Sequence, residues 1–375
     1  MARHPFFYSD RLLSYNMGPH HPMQPRRLKM TRDLLQCYGL FESALELVEP
    51  QAALVEDVAE VHSRGFIDMI GQLDAGRPVA GMQRYGFGGG DNPIFEGIYR
   101  SSMLYTGASA QSAQAILDGE GTCRVAFNIA GGLHHAHYDR AAGFCVLNDC
   151  AVALRRLRKK YARVAYVDID VHHGDGVQEL FYADPTVLTV SLHESGRTLF
   201  PGTGFTDEIG IAEGEGYSVN LPFAPYTTDE IWLDAWRASA LPILRKFDPE
   251  AIVLQMGTDA HELDPLAHVN LSAQGWLEAV KDVRGLGKPI VAIGGGGYNM
   301  TTVPRMWTLA IATLAGVELP DEIPESYPHR TAGLTTLTDH STPRVSHGDL
   351  ETARRFADRS VEEIRSVLFP RYELN

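Results

Sequence analysis

Five short, unbroken apolar runs constrain this chain more than any other feature. They are "RVAFNIA" (124–130), "RVAYVDI" (163–169), "TVLTVSL" (186–192), "AIVLQMG" (251–257) and "PIVAIGG" (289–295). A strand with one wet face alternates apolar and polar residues, whereas a continuous run suits a strand covered on both faces. Helical periodicity fills the intervals, over 148–160, 229–246 and 272–285. Such alternation predicts an α/β fold, a central and mostly parallel sheet with helices on both faces. No composition break divides the 375 residues, so a single domain over 1–375 is expected.

The remaining segments are less regular. Gly- and Pro-rich stretches at 81–97 and 193–210 read as surface loops, and 320–348 as an irregular polar segment. A last amphipathic helix is expected over 349–367, with Leu350, Ala353, Phe356, Ala357 and Ile364 turned to the core. A formal net charge of −14 argues against nucleic acid and anionic membrane as partners. The one basic run, "RRLRKKYAR" (155–163), falls at a helix end, where it complements the dipole. Cysteines 37, 123, 145 and 150 form no C-x-x-C pair and read as small hydrophobes of a reduced, cytoplasmic protein. The N-terminal stretch lacks the apolar core of a secretory signal, and "MWTLAIATLAGV" is too short to span a bilayer.

Chemistry collects where the strands end. "RVAFNIA" runs into "GGLHHAH", "RVAYV" into "DIDVHHGDG", "AIVLQMG" into "TDAHELD" and "PIVAI" into "GGGGYN". In an open parallel sheet the carboxyl ends share one crevice, where ligands bind. Asp170 and His172 are two apart on extended chain and point the same way, so they can share an ion with Asp259. Asp168 lies on that face too, and Asp175 either turns back to the crevice or caps the helix that it opens. Two carboxylates and one imidazole leave room for water, as a catalytic centre needs, and accept Zn²⁺, Fe²⁺ or Mn²⁺. A nearly neutral site of this kind calls for a neighbouring base, which His134 or His135 can supply. Asp168 and Asp175 are spare acids able to fix their tautomers. The glycines of 294–297 form either a plain turn or a phosphate cradle, or they let Tyr298 reach the crevice as an oxyanion donor.

These motifs resemble the zinc-dependent histone deacetylase family. "HPMQPRRLKMT" (21–31), "GGLHHAHYDRAAGFCVLND" (131–149), "VDIDVHHGDGVQELFY" (167–182), "FPGTG" (200–204), "GTDAHELDPL" (257–266) and "GGGGY" (294–298) follow the family's order. The wording of "GTDAHELDPL" looks most like the bacterial acetoin-utilisation branch. The resemblance implies an arginase/deacetylase-like fold and removal of acetyl groups from protein lysines. It implies zinc on Asp170, His172 and Asp259, with His135 as general base and acid. His134 becomes its electrostatic partner, Asp168 stands behind His134 and Asp175 behind His135, and Tyr298 polarises the carbonyl.

By the same resemblance, Asp91 grips the substrate backbone, Gly143, Phe144 and Phe200 line a tube for the acyl-lysine stem, and Leu266 stands at its rim. Met23, Arg27 and Cys145 surround an inner acetate pocket. A structural potassium ion falls to Asp168, Asp170, His172, Ser191 and Leu192. Gln24, Pro265 and Thr301 replace the basic residues with which nuclear members hold an inositol phosphate, so that site and its corepressor are expected to be absent. Acetylpolyamine hydrolysis, a two-manganese ureohydrolase and a non-catalytic acyl-lysine binder remain as other readings. For the ureohydrolase, Gly174 and His261 stand where further ligands belong.

Overall fold

In the computed structural model of the chain, residues 3–77, 79–119, 124–341 and 343–375 are described. Eight strands form one sheet: β1 (His4–Phe7), β2 (Leu45–Val48), β3 (Val125–Asn128), β4 (Val164–Asp168), β5 (Val187–Glu194), β6 (Ser218–Phe223), β7 (Ala251–Gln255) and β8 (Ile290–Ile293). Their order is β2-β1-β3-β8-β7-β4-β5-β6, and every pairing is parallel. The five apolar runs are β3, β4, β5, β7 and β8, each buried along its whole length. Helices cover both faces, so these strands are mainly apolar and lack a wet side; Asn128, Asp168 and Gln255 stand at the carboxyl ends of β3, β4 and β7.

The structure corrects three boundaries. β5 runs on through His193 and Glu194, which are buried rather than part of a surface loop. The expected helix over 229–246 is two helices, Asp229–Ala238 and Ala240–Phe247, broken at Ser239. There the Ser239 hydroxyl donates to the Ala235 carbonyl at 2.6 Å, and Pro242, which has no N–H to give, follows in the next turn. The last helix spans His347–Leu368, capped by Ser346, whose hydroxyl accepts the Asp349 N–H at 3.2 Å. Ala353, Ala357 and Ile364 are buried as expected, but Leu350 faces outward. The irregular segment ends at Ser346, two residues earlier than expected; from 320 to 346 the described residues hold no helix or long strand, yet Ile323, Tyr327, Leu334 and Leu337 pack around Leu34. Cys145 and Cys150 are buried and Cys37 is half-buried; Cys123 lies outside the described residues. Among the described residues no helix is long and apolar enough to cross a membrane.

Candidate active site

The strands whose ends carry the chemistry, β3, β8, β7 and β4, are four consecutive neighbours in the sheet. Sheet order alone therefore draws together segments far apart in sequence. Asp170, His172 and Asp259 each present a ligand atom, and these atoms lie within 4.8 Å of one another. His172 Nδ1 is 3.2 Å from Asp170 Oδ1 and 3.1 Å from Asp259 Oδ2. The other carboxylate oxygens are held by the scaffold. Asp259 Oδ1 accepts the Val171 N–H at 2.9 Å, and Asp170 Oδ2 accepts the Gly296 N–H at 2.7 Å and the Gln255 amide at 2.8 Å. Gly296 is required for this approach, because a Cβ there would overlap the Asp259 carboxylate.

Burial would make the His172 imidazole less basic, but hydrogen bonds to Asp170 and Asp259 outweigh it and raise its pKa to about 10. Burial, then the charge of Asp170, raises Asp259 to about 6. A proton thus fills the place of positive charge between two buried carboxylates. A divalent cation would supply that charge, so the donor set fits one.

The adjacent histidines are oriented by separate carboxylates. His134 Nδ1 meets Asp168 Oδ2 at 2.7 Å, and His135 Nδ1 meets Asp175 Oδ1 at 2.7 Å. Asp168 is fixed in turn by the Tyr166 hydroxyl at 2.7 Å and the Asp170 N–H at 3.1 Å. Asp175 heads the helix Asp175–Phe181 without capping it, which settles the choice that its position left open. The rings are 4.0 Å apart yet differ in charge. Burial opposes protonation of both. At His134 the charges of Asp168 and Asp170 prevail and lift the pKa to about 9, whereas at His135 burial and the charged His134 hold it at about 4. In the metal-free protein these pulls favour the cation at His134 and the free base at His135. Such a divergence is how two similar groups take two roles.

Above them opens a slot of about 210 Å³ lined by Asp91, Gly143, Phe144, Phe200, Leu266 and Leu199, with His135, His172 and Tyr298 also on its wall. Phe200 stacks edge-on over His135 at 5.0 Å, and Phe144 over Tyr298 at 5.7 Å. Gly143 has φ +49° and packs on the His135 ring, where a Cβ would not fit. Phe144 keeps φ +68°, a conformation that costs a side-chain-bearing residue about 1–3 kcal/mol. The Tyr15 hydroxyl, donating to the Phe144 carbonyl at 2.7 Å, helps to hold it there.

Met23 and Arg27 do not line the slot. Arg27 lies behind it, donating to the Gly297 carbonyl at 2.9 Å and packing over Trp307. Cys145 is buried beside Gly143, its thiol donating to the Gly143 carbonyl at 3.3 Å. Ser191 pairs in register with Asp168 across β4 and β5, and Leu192 follows it, buried. His261 is turned to Asp339 and Arg305, at 3.0 and 3.1 Å, rather than to the cluster.

Sequence reasoning missed several supports. Asp264 accepts the Tyr298 N–H at 2.7 Å and so fixes the tyrosine's backbone. Asp149 accepts the N–H groups of Gly132 and Leu133, at 3.0 and 2.9 Å, and the Ser109 hydroxyl at 2.5 Å. It thereby holds the loop that carries both histidines. The Asn-Asp pair ahead of an apolar helix was the available signal, but it reads equally as a cap. Asp149→Ala leaves three buried donors unpaired and should destabilise the metal-free protein by about 3 kcal/mol, read from urea unfolding at unchanged m-value.

Comparisons with known proteins give the family and the fold. A family model described as the histone deacetylase domain matches residues 21–314. The chain is 38% identical over 330 residues to the acetoin utilization protein AcuC of Bacillus subtilis, covering 86% of this chain and 84% of that protein. It is also 38% identical over 321 residues to histone deacetylase clr6 of Schizosaccharomyces pombe, covering 85% and 78%. The solved structure of an HDAC homolog from Aquifex aeolicus superposes with a TM-score of 0.86 at 31% identity, over 96% of this chain and 100% of that one. The all-parallel sheet is that of the arginase/deacetylase fold, in which this one serves a hydrolase. The chain belongs to the histone deacetylase family, whose members depend on zinc.

Proposed function

We propose that the chain, acting as a single cytoplasmic deacetylase domain, hydrolyses the amide of N-acetyl-lysine side chains in proteins. The observation that carries this reading is the slot: apolar walls of a width set by Phe144 and Phe200 end on an uncharged imidazole, His135, beside the cation cluster. An aliphatic lysine stem fits such walls, and Asp91, exposed at the rim, can accept the substrate's backbone N–H groups.

Asp170, His172 and Asp259 would hold one zinc ion, which when bound acidifies a water and polarises a carbonyl. His135 takes a proton from the attacking water as the new C–O bond forms. His134, kept cationic by Asp168, stabilises the negative charge that develops. Tyr298 donates to the carbonyl oxygen; burial holds its phenol well above the ordinary range, so it stays protonated. The C–N bond then breaks, and His135 returns its proton to the departing lysine amine, leaving acetate. Met23, Arg27 and Cys145 form the wall behind the slot, toward which acetate would leave. A potassium ion on Asp168, Asp170, His172, Ser191 and Leu192 suits the paired ends of β4 and β5. No inositol phosphate or corepressor enters this reading.

Among the described residues there is one candidate cation cluster, and His261 is engaged elsewhere, which favours one ion over a two-manganese centre. Tyr298→Phe should bind metal and melt as the wild type does, yet lose roughly 10²–10³-fold in kcat on a fluorogenic acetyl-lysine peptide. Near wild-type turnover would remove the tyrosine from the mechanism. Turnover of acetylpolyamines in preference to peptides would replace the protein substrate.

A further inference from the structure

A third histidine stands behind the pair and enters neither the sequence reading nor the mechanism above. His137 is buried, with Nε2 at 3.3 Å from Asp175 Oδ2 and Nδ1 against the carboxylate of Glu179. Asp175 presents its other oxygen, Oδ1, to His135 Nδ1 at 2.7 Å. Glu179, His137, Asp175 and His135 therefore form one chain of alternating carboxylates and imidazoles. It leads from an exposed glutamate to the ring at the base of the slot.

We propose that His137 is a positioning residue: as an imidazolium clamped between Glu179 and Asp175, it fixes the Asp175 carboxylate and through it the working orientation of His135. The inference rests on His135 being the general base. A carboxylate with only one engaged oxygen can rotate away from its histidine. Held at both oxygens, Asp175 keeps the His135 N–H at Nδ1 and leaves Nε2 as the nitrogen free to accept a proton. The Nε2 contact with Asp175 is an ion pair and not an aligned hydrogen bond; a neutral imidazole has a single N–H and would turn a bare lone pair toward one of the two carboxylates, so this placement calls for the cation. Burial works against that charge, but Asp175 and Glu179 outweigh it and raise the His137 pKa to about 9.

The surroundings leave His137 this role. Its backbone N–H is taken by the Arg140 carbonyl at 2.8 Å. Arg140 acts on Glu179 through its charge. His62 is kept neutral, chiefly by burial, at a pKa of about 4, and its Nε2 accepts the Asn148 N–H at 2.9 Å. A groove of about 630 Å³ beside Phe200, lined by His137, Arg140, Asp175, Glu179 and Glu208, opens this end of the relay to solvent.

The test uses the zinc-loaded chain and three variants, His137→Gln, His137→Lys and Glu179→Gln. His137→Gln should lose roughly 10-fold in kcat, with KM, metal content and melting temperature unchanged. Lysine restores the charge and should return kcat to within about twofold of wild type. Nitrogen-15 spectra of the metal-free protein at neutral pH should show both His137 ring nitrogens protonated. Wild-type kcat in His137→Gln, failure of lysine to rescue a well-folded protein, or a single neutral tautomer would each overturn the proposal. If His137→Gln fails to fold, the exposed Glu179→Gln decides, with a few-fold kcat loss expected for the proposal and none against it. His135→Ala separates the two levels. Full activity in that variant refutes the general base itself, whereas an inactive His135→Ala beside an unaffected His137→Gln refutes only the relay.

Discussion

His135→Ala should lower kcat on an acetyl-lysine peptide by roughly 10²–10⁴-fold while metal content stays at the wild-type level. The size follows from the two steps that the proposed mechanism gives this ring, taking a proton from water and returning it to the amine. No neighbour can take over. His134 is 4.0 Å away between ring centroids, but the Asp168 carboxylate bonded to it raises its pKa and favours its protonated form, so it is the poorer proton acceptor. Asp175 faces the empty position, but its carboxyl is held well below the usual range, so it is a poor proton acceptor. Single-turnover kinetics locate the loss in the chemical step. A loss confined to KM, or a variant within about threefold of wild type, would assign the proton transfer to another group.

Much of this site could be read before any coordinates, and the physical reason is sheet geometry. A strand buried on both faces writes itself as a continuous apolar run, and parallel order places all such strand ends on one edge. Asp170, His172 and Asp259 follow directly from that rule. What stayed hidden depends on short or ambiguous signals. β1 and β2 are four residues each, near the sheet edge, and β6 contains Pro222, which argues against a strand. The helix Ile98–Asp118 is buried along most of its length and rich in Ser and Ala, so it lacks the polar face that marks a helix in sequence. Leu199, Asp264, Asp149 and His137 touch the site from loops and helix starts, where no periodicity predicts which way a side chain turns. The support around the reactive groups is written in three-dimensional contacts, whereas the reactive groups are written in strand ends.

Asp259→Asn should abolish zinc binding and deacetylation together, and it should make the metal-free protein more stable at neutral pH. Both effects come from the same buried charge. In the absence of a cation, burial and Asp170 raise Asp259 to about 6, above the roughly 3.9 of an unfolded aspartate. With the folded pKa the higher one, its stabilising contribution is full below the unfolded value and lost as pH rises through about 6. Neutral metal-free protein therefore carries a penalty on the order of 1–3 kcal/mol, which asparagine removes while still accepting the Val171 N–H. Below about pH 4 the advantage should vanish, because the wild-type carboxyl is then protonated in both states. Zinc reverses the ranking. At a hundred times its dissociation constant it adds about 2.7 kcal/mol to the wild type and nothing to the variant. Urea unfolding of both proteins, with and without zinc, reads all four states. A variant that still gains stability from zinc would place the cation elsewhere, and one destabilised in its metal-free form would show that Asp259 is held as part of the packing and not against it.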